Sequence, residues 1–236
     1  NLRLGASQIK LMAGGGVSSL YDQLEDVQYF EDELHAAVMA AEDAGTYVMV
    51  HVYVPEAIRR AIRAGVKSIE LGQLIDEPTM KLIAEKGVWL SMQPFIGEGN
   101  NHYTNPVQQA KHELVVQGTD RAYQLAKKYG VKLAWGTDLL FSPANARNQN
   151  LNIEKMTRWF SNFEILKMIT HDNAELLALS GRRNPYPGKL GVIEEGALAD
   201  LIVVDGNALE DIKVLTDPGK NMLLIMKDGK IYKNDL

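Results

Sequence analysis

Residues 47–72 read Y-V-M-V-H-V-Y-V-P-E-A-I-R-R-A-I-R-A-G-V-K-S-I-E-L-G. The stretch opens with a continuous apolar run, Tyr47–Val52, whose length and branched residues are typical of a buried strand. Pro55 suits the first turn of the helix that follows, and Gly65 ends that helix. A second strand, Val66–Leu71, comes next. A strand, a helix and another strand in this order predict two parallel strands joined by a right-handed crossover.

The same alternation continues on both sides of this stretch. The further predicted strands are Ser7–Met12, Val88–Gln93 and Val131–Trp135, and the further predicted helices are Glu31–Ala44, Glu77–Lys86, Pro106–Tyr129, Asn162–Thr170 and Asp172–Ser180. A spacing of roughly 20–40 residues per unit fits (β/α) barrel geometry, and a closed barrel has eight such strands. We therefore predict an α/β fold, a partial TIM-like (β/α) barrel with five strands.

The pattern changes after Arg183. Residues 184–191 are rich in turn formers, and short strands are predicted at Leu201–Val204, Met222–Met226 and Lys230–Tyr232. Asp228 and Gly229 form a hairpin signal between the last two strands. We predict a barrel domain over residues 1–183 and part of a small β-sandwich domain over residues 184–236.

Composition excludes several classes of protein. Apolar residues make up 46% of the chain, the formal net charge is −5, and there are no cysteines. Disulfides and thiolate metal sites are excluded, and no basic footprint for nucleic acid or membrane binding is visible. No transmembrane segment or signal peptide is apparent, so we expect a soluble protein, with the cytoplasm favoured. The first residues, N-L-R-L-G, indicate either a cut inside a domain or a natural short form.

Three polar residues lie at or near the ends of predicted strands. Lys10 is in the first strand, His51 is near the end of the second, and Asp138 follows the fifth in a G-T-D turn. Because parallel strands have their C-terminal ends on one side of a sheet, these side chains could converge there. Each also has an ordinary structural interpretation, respectively a lysine that reaches solvent, a hydrogen-bonded core histidine and a turn aspartate.

Several motifs together make the chain resemble a known group of enzymes. They are Q-I-K-L-M-A-G-G-G-V, Y-V-M-V-H-V-Y, S-I-E-L-G-Q-L-I-D, L-A-W-G-T-D and L-G-V-I-E-E-G-A-L-A-D-L-I-V-V-D-G. In these the chain resembles the amidohydrolase superfamily, and its imidazolonepropionase-like and Xaa-Pro dipeptidase (prolidase)-like branch in particular. The resemblance extends over nearly the whole chain and implies barrel strands four to eight followed by part of the β-sandwich.

The resemblance implies roles for the three strand-end residues. Lys10 corresponds to the lysine of the fourth strand, which as N6-carboxylysine would bridge divalent metal ions, zinc being favoured. His51 corresponds to the histidine ligand of the fifth strand. Asp138 corresponds to the aspartate of the eighth strand, a ligand and general base for a water molecule that the metal activates.

The chain departs from the family pattern in two ways. The family's first three strands, with their H-x-H pair of metal ligands, have no counterpart here. The sixth-strand motif I-E-H-G is Ile69-Glu70-Leu71-Gly72 in this chain, and leucine has no donor atom for a metal. We therefore expect a single metal ion or none, and we expect Leu71 to fill the place of a second imidazole.

Other side chains are candidates for contacts with substrate. Tyr53 lies two residues after His51 and therefore on the same face, where it could act in catalysis or bind a substrate carbonyl. Gln93 is at a strand tip, and His102 and Tyr103 are in the polar insertion 94–105. The glycines at 14–16 match no phosphate-binding pattern, and no serine lies in a G-x-S-x-G elbow.

These observations favour a metal-dependent hydrolase that cleaves the amide or ester bond of a dipeptide, an N-acyl amino acid or a carboxylester, so the expected activities are those of a dipeptidase or an esterase. The alternative is a catalytically impaired fragment or pseudo-enzyme, acting as an assembly or binding module. We expect a small-molecule substrate and a homo-oligomer, because an open half-barrel exposes strand edges and apolar surface.

Overall fold

The computed structural model describes residues 1–97, 103–139 and 143–236. The chain divides into two compact units. The first contains residues 1–136 and 177–185, and the second contains residues 137–176 and 186–236. The sequence boundary predicted at Arg183 stays a prediction.

The first unit is built on a parallel sheet, as predicted. Its strands are β1 (Ile9–Met12), β2 (Val48–Val52), β3 (Ser68–Leu71), β4 (Trp89–Met92) and β5 (Leu133–Trp135). Within the described residues they lie in the order β1-β2-β3-β4-β5, and each neighbouring pair is parallel. Sequential strands are therefore neighbours, which is the arrangement expected of a (β/α) barrel segment.

Helices connect these strands. They are α1 (Glu31–Asp43), α2 (Pro55–Arg63), α3 (Glu77–Lys86) and α4 (Pro106–Tyr129). Proline at the first or second position begins α2, α3 and α4, and Gly87 and Gly130 end α3 and α4 in the left-handed conformation. No helix within the described residues is long and apolar enough to cross a membrane.

The two faces of the sheet differ in chemistry. One face is apolar and nearly inaccessible: Val50, Val52, Ile69 and Leu90 are each 0% exposed. Buried residues of α2 and α3, which include Ile58, Ala61, Met80 and Ile83, supply the helical side of this core. Each isoleucine or methionine among them contributes about 1.5–3 kcal/mol by its burial. The opposite face carries polar residues, and the sheet register brings Met12, His51, Glu70 and Ser91 into one row.

The second unit begins with short helices. They are α5 (Pro143–Ala146), α6 (Leu151–Lys155), α7 (Asn162–Lys167) and α8 (Asn173–Ala178), the last of which ends in the first unit. A π-turn, Met168–Asp172, joins α7 to α8, so the two helices predicted separately are linked without a break. Ser161 caps α7 through a capping box with Glu164.

A small antiparallel sheet follows. Its strands are β6 (Leu201–Val204), β7 (Met222–Lys227) and β8 (Lys230–Asn234), with the short helix α9 (Pro218–Asn221) before β7. Asp228 and Gly229 both have positive φ, as the predicted hairpin turn requires. The three predicted strands are confirmed, and β7 and β8 extend one and two residues further than predicted.

Candidate functional site

His51 is a buried, hydrogen-bonded residue of the candidate site. It lies near the C-terminal end of β2, is 7% exposed, and its Nε2 atom is 3.0 Å from the carbonyl oxygen of Gly15. A carbonyl oxygen only accepts hydrogen bonds, so Nε2 must carry the proton. The neutral ring then has its lone pair on Nδ1. The fold thus fixes the tautomer of a histidine at the edge where a barrel active site lies.

The partner carbonyl belongs to the loop between β1 and α1, residues 13–30, here called the glycine loop. The loop folds back on itself, with Gln28 N donating to Ala13 O at 3.0 Å. A Cβ atom at Gly15 would lie 1.8 Å from the carbonyl oxygen of Gln23, so only glycine fits there. Gly15 therefore serves a close approach of two backbone segments.

Lys10 and His51 lie on the same face of the sheet. Met12 is the register partner of His51, and Lys10, two residues earlier in β1, shares its face. Lys10 is exposed. The structure therefore brings these two candidate ligands to one face.

Glu70 adds a carboxylate to this polar row as the register partner of His51 on β3. Ser68 Oγ donates a hydrogen bond of 2.5 Å to its Oε1 atom. Burial, together with the negative charge of Glu70, raises the pKa of Tyr47 well above its ordinary value. Tyr47 is therefore a neutral phenol at any pH at which the protein would function.

Tyr53 and Leu71 form the apolar border of the site. The ring of Tyr53 meets the His51 imidazole edge-on, with centroids 5.2 Å apart and an angle of 85° between the planes. Leu71 is 1% exposed and belongs to one apolar cluster with Tyr53, Val17, Leu24 and Val115. That Leu71 occupies the place of a second imidazole stays a prediction. Its side chain does lie in one apolar cluster with Tyr53, whose ring contacts His51.

The remaining predicted substrate residues are distributed differently. Gln93 is 5% exposed just after β4, and its Oε1 atom has no hydrogen-bond partner within the described residues. Tyr103 lies before α4, with its hydroxyl 3.1 Å from Ser18 Oγ of the glycine loop. His102 lies outside the described residues.

Asp138 belongs to the second unit, follows β5, is exposed and has a φ of +50°. Aspartate tolerates this left-handed conformation better than most residues. Its convergence with Lys10 and His51 stays a prediction.

Lys111 is a residue that sequence reasoning missed. It is 4% exposed on α4, and its ammonium donates to the carbonyl oxygens of Gly16 at 3.1 Å, Ser19 at 2.9 Å and Asp22. The signal was its position four residues before buried Val115, on the inward face of the helix. Lys111 was missed because a lysine on a helix is ordinarily expected to extend its ammonium into solvent.

Asp22 completes this contact. Burial raises the pKa of its carboxyl, but hydrogen bonds from Ser19, the Gly16 N–H and Lys111 outweigh burial. The pKa of Asp22 therefore lies below its ordinary value, and the carboxylate is charged at neutral pH.

The described residues do not form a metal centre by themselves. They contain no group of three histidine, aspartate or glutamate side chains placed to hold one ion. His51 offers a single nitrogen lone pair, and Leu71 offers no donor atom. The donors of the described residues alone therefore do not complete a metal site.

A cavity of about 210 Å³ lies at the opposite end of the sheet. Its lining includes Val66, Val88 and Lys132, which precede β3, β4 and β5, together with Lys67 and Lys86. In parallel α/β barrels the N-terminal ends of strands serve stability, whereas the C-terminal ends carry function. We therefore assign the candidate site to the His51 end.

Comparison with known proteins shows the family of the chain. A model of the amidohydrolase family matches residues 1–232. Among curated proteins, the chain is similar to the ochratoxinase of Aspergillus niger, with 34% identity over 98% of this chain and 47% of the relative. The chain therefore spans about half the length of the curated relatives it matches.

Solved structures show the same relationship. A crystal structure of an amidohydrolase is 38% identical, with a TM-score of 0.89 over 100% of this chain and 56% of that one. A prolidase complexed with N-methylphosphonate-L-proline is 36% identical, with a TM-score of 0.87 over 99% of this chain and 56% of that one. The predicted resemblance and fold class are confirmed.

Proposed function

The chain belongs to the amidohydrolase family, and from this premise we propose that it is part of a hydrolase that cleaves an amide bond. The observation that carries the proposal is the placement of His51. A buried imidazole of fixed tautomer lies at the C-terminal edge of parallel strands, on the same face as Lys10. This is where the chemistry of a (β/α) barrel enzyme takes place.

Each residue has a proposed role. A divalent metal, zinc by preference, would supply an activated water, and Lys10 as N6-carboxylysine, His51 through Nδ1 and Asp138 are the donors that this chain would contribute. Asp138 would also accept the proton of the attacking water. Tyr53, beside the His51 ring, would donate a hydrogen bond to the substrate carbonyl. Gln93, Tyr103 and His102 would contact the rest of the substrate.

The relatives suggest the substrate class. The prolidase relative binds a phosphonate linked to proline, in which a tetrahedral phosphorus stands where the carbon of an attacked amide would be. We propose that this chain acts on an amide whose leaving group is an amino acid, as in dipeptides ending in proline and N-acyl amino acids. Carboxylesters are further proposed substrates, because the leaving group of an ester is better than that of an amide.

Metal analysis and hydrolysis assays test the proposal. The purified chain, loaded with zinc, is expected to bind metal and to hydrolyse members of a panel of Xaa-Pro dipeptides, N-acyl amino acids and carboxylesters. His51→Ala should abolish both properties. Tyr53→Phe should keep the metal and lower kcat roughly a hundredfold, as expected for the loss of one donor to the developing oxyanion. His35→Gln changes an exposed histidine and should leave both properties unchanged.

A second function is favoured by a different observation. Leu71 supplies no donor atom, and the described residues hold no group of three ligands. If the zinc-loaded chain neither retains metal nor hydrolyses any member of the panel, the hydrolase proposal fails for this chain. An assembly or binding module that keeps the family fold is then the better description.

A further inference from the structure

The ammonium of Lys111 is enclosed by oxygen atoms of the glycine loop. Besides the carbonyls of Gly16, Ser19 and Asp22, its Nζ atom lies 3.4 Å from Asp22 Oδ1. An ammonium has three donors, and three backbone carbonyls of this one loop accept them. The residue is buried, so this arrangement replaces the hydration that burial removes.

The loop needs a positive charge at this point. Three carbonyl oxygens and a carboxylate that converge on one point repel one another unless a cation lies among them. Lys111 is that cation, and α4 holds it in place through a buried helical position. Gln108 adds a second tie from α4, since its Nε2 atom donates to Ser18 O at 2.6 Å.

The same loop determines the hydrogen bond of His51. The carbonyl of Gly15 accepts from His51 Nε2, and the carbonyl of the next residue, Gly16, accepts from Lys111. Two successive peptide groups are therefore held by two different side chains. Glycine backbones rotate easily, so the Gly15 carbonyl keeps its direction only while its neighbour is held.

We propose that Lys111 is the positioning residue of the candidate site. Its buried charge holds the glycine loop in the conformation that presents the Gly15 carbonyl to His51 and keeps that ring in the Nε2–H tautomer. The effect on His51 stands on the contacts alone, whereas any effect on turnover rests on the proposed function.

Lys111→Met tests this role, because methionine keeps most of the apolar stem and removes the charge and the donors. The control is Arg121→Met, which removes one positive charge from an exposed position on the same helix. The metal-free chain, with ¹⁵N-labelled histidine, gives the tautomer of His51 from its two ring-nitrogen shifts. Amide hydrogen exchange reports the order of residues 14–24.

In the unchanged chain and in Arg121→Met, we expect the Nε2–H signature and a protected loop. In Lys111→Met we expect mixed tautomers of His51 and loop exchange at least tenfold faster, with the protection of β3 unchanged. The proposal is overturned if Lys111→Met keeps the His51 signature and loop exchange within twofold of the unchanged chain. It is also overturned if β3 loses protection as much as the loop does.

If Lys111→Met does not fold, Lys111→Gln is measured with the same two readouts and the same criteria, since its amide replaces only part of the donor set. Hydrolysis is assayed separately on the zinc-loaded chain. There Lys111→Met should lower kcat/KM at least tenfold while Arg121→Met does not. A chain that is inactive before any substitution refutes the proposed function, and the tautomer and exchange measurements still decide the role of Lys111.

Discussion

Leu71 combines two features that rarely occur together. It is a bulky apolar residue that is 1% exposed, and its φ of +90° lies in the region that favours glycine. A non-glycine residue in such a conformation costs on the order of 1–3 kcal/mol, which the surrounding structure must offset. Here the apolar cluster with Tyr53 and Val17 provides the offset. The packing of the Leu71 side chain thus helps the backbone at this strand tip to keep an unusual conformation.

This strain predicts an unusual order of two truncations. Leu71→Ala and Leu71→Gly remove nearly the same volume from the cluster, at a cost of about 2–5 kcal/mol. Only glycine also relieves the positive φ, so Leu71→Gly should be more stable than Leu71→Ala by about 1 kcal/mol. The measurement is the free energy of unfolding from urea titration of both variants.

Ile69 supplies the matched control in the same strand. It is 0% exposed and is not among the residues with positive φ. There glycine should be less stable than alanine by roughly 0.5–1 kcal/mol, the ordinary order inside a strand. The same order at both positions would show that the conformation of Leu71 carries no strain.

Secondary-structure elements were predictable where the local signals agreed with one another. The bounds of α3 and α4 are those predicted, because proline near the start and glycine after the end bracket each helix. The strands of the parallel sheet were predicted one or two residues too long at their N-terminal ends, since apolar residues such as Val66 and Val88 extend the apolar pattern beyond the paired residues. Pairing depends on the neighbouring strand, which local composition does not report.

The glycine loop was not predictable in the same way. Its conformation depends on Lys111, which lies 89 positions after Asp22 in the chain. No local pattern at residues 13–30 indicates that a lysine of a later helix will lie among its carbonyls. For the same reason the partner of His51 was not foreseen, although the strand and the face of His51 were.

The charge of Asp22 gives the loop a pH dependence whose sign follows from its lowered pKa. A folded-state pKa below the unfolded value of about 3.9 stabilises the fold above that value, and the stabilisation is lost as pH falls through the folded pKa. At pH 7 the unchanged chain should therefore be more stable than Asp22→Asn by about 1.5–3 kcal/mol, the usual contribution of a hydrogen bond to a charged group. Urea titrations at pH 7 and pH 3 measure the gap.

The gap between the unchanged chain and Asp22→Asn should be smaller at pH 3 than at pH 7, because the stabilisation that comes from the lowered pKa of Asp22 shrinks once the pH falls below the unfolded value. Glu25→Gln is the control, because Glu25 is an exposed carboxylate of the same loop. Its effect should be within about 0.5 kcal/mol at both pH values. A gap for Asp22→Asn that is equally large at pH 3 would show that its charge does not hold the loop.

The parallel sheet of the first unit is open within the described residues. Within the described residues, β1 pairs only with β2 and β5 only with β4, so each leaves one edge without a partner strand. Beside the free edge of β1, Met12 lies on the face of the sheet that carries His51 and is 46% exposed. Unpaired strand edges with adjacent apolar surface promote association with another chain. The expected homo-oligomer therefore has a physical cause in the first unit.

Sedimentation velocity tests whether this surface drives self-association. The chain, of 26.2 kDa, should sediment as a dimer or a larger species at micromolar concentration. Met12→Glu places a charge beside the open edge and should shift the chain toward the monomer. Met39→Glu introduces the same change at a methionine of the helix α1 that is 52% exposed. This control should not shift the chain toward the monomer. A monomer before any substitution, or an equal shift in both variants, would show that the open edge does not mediate association.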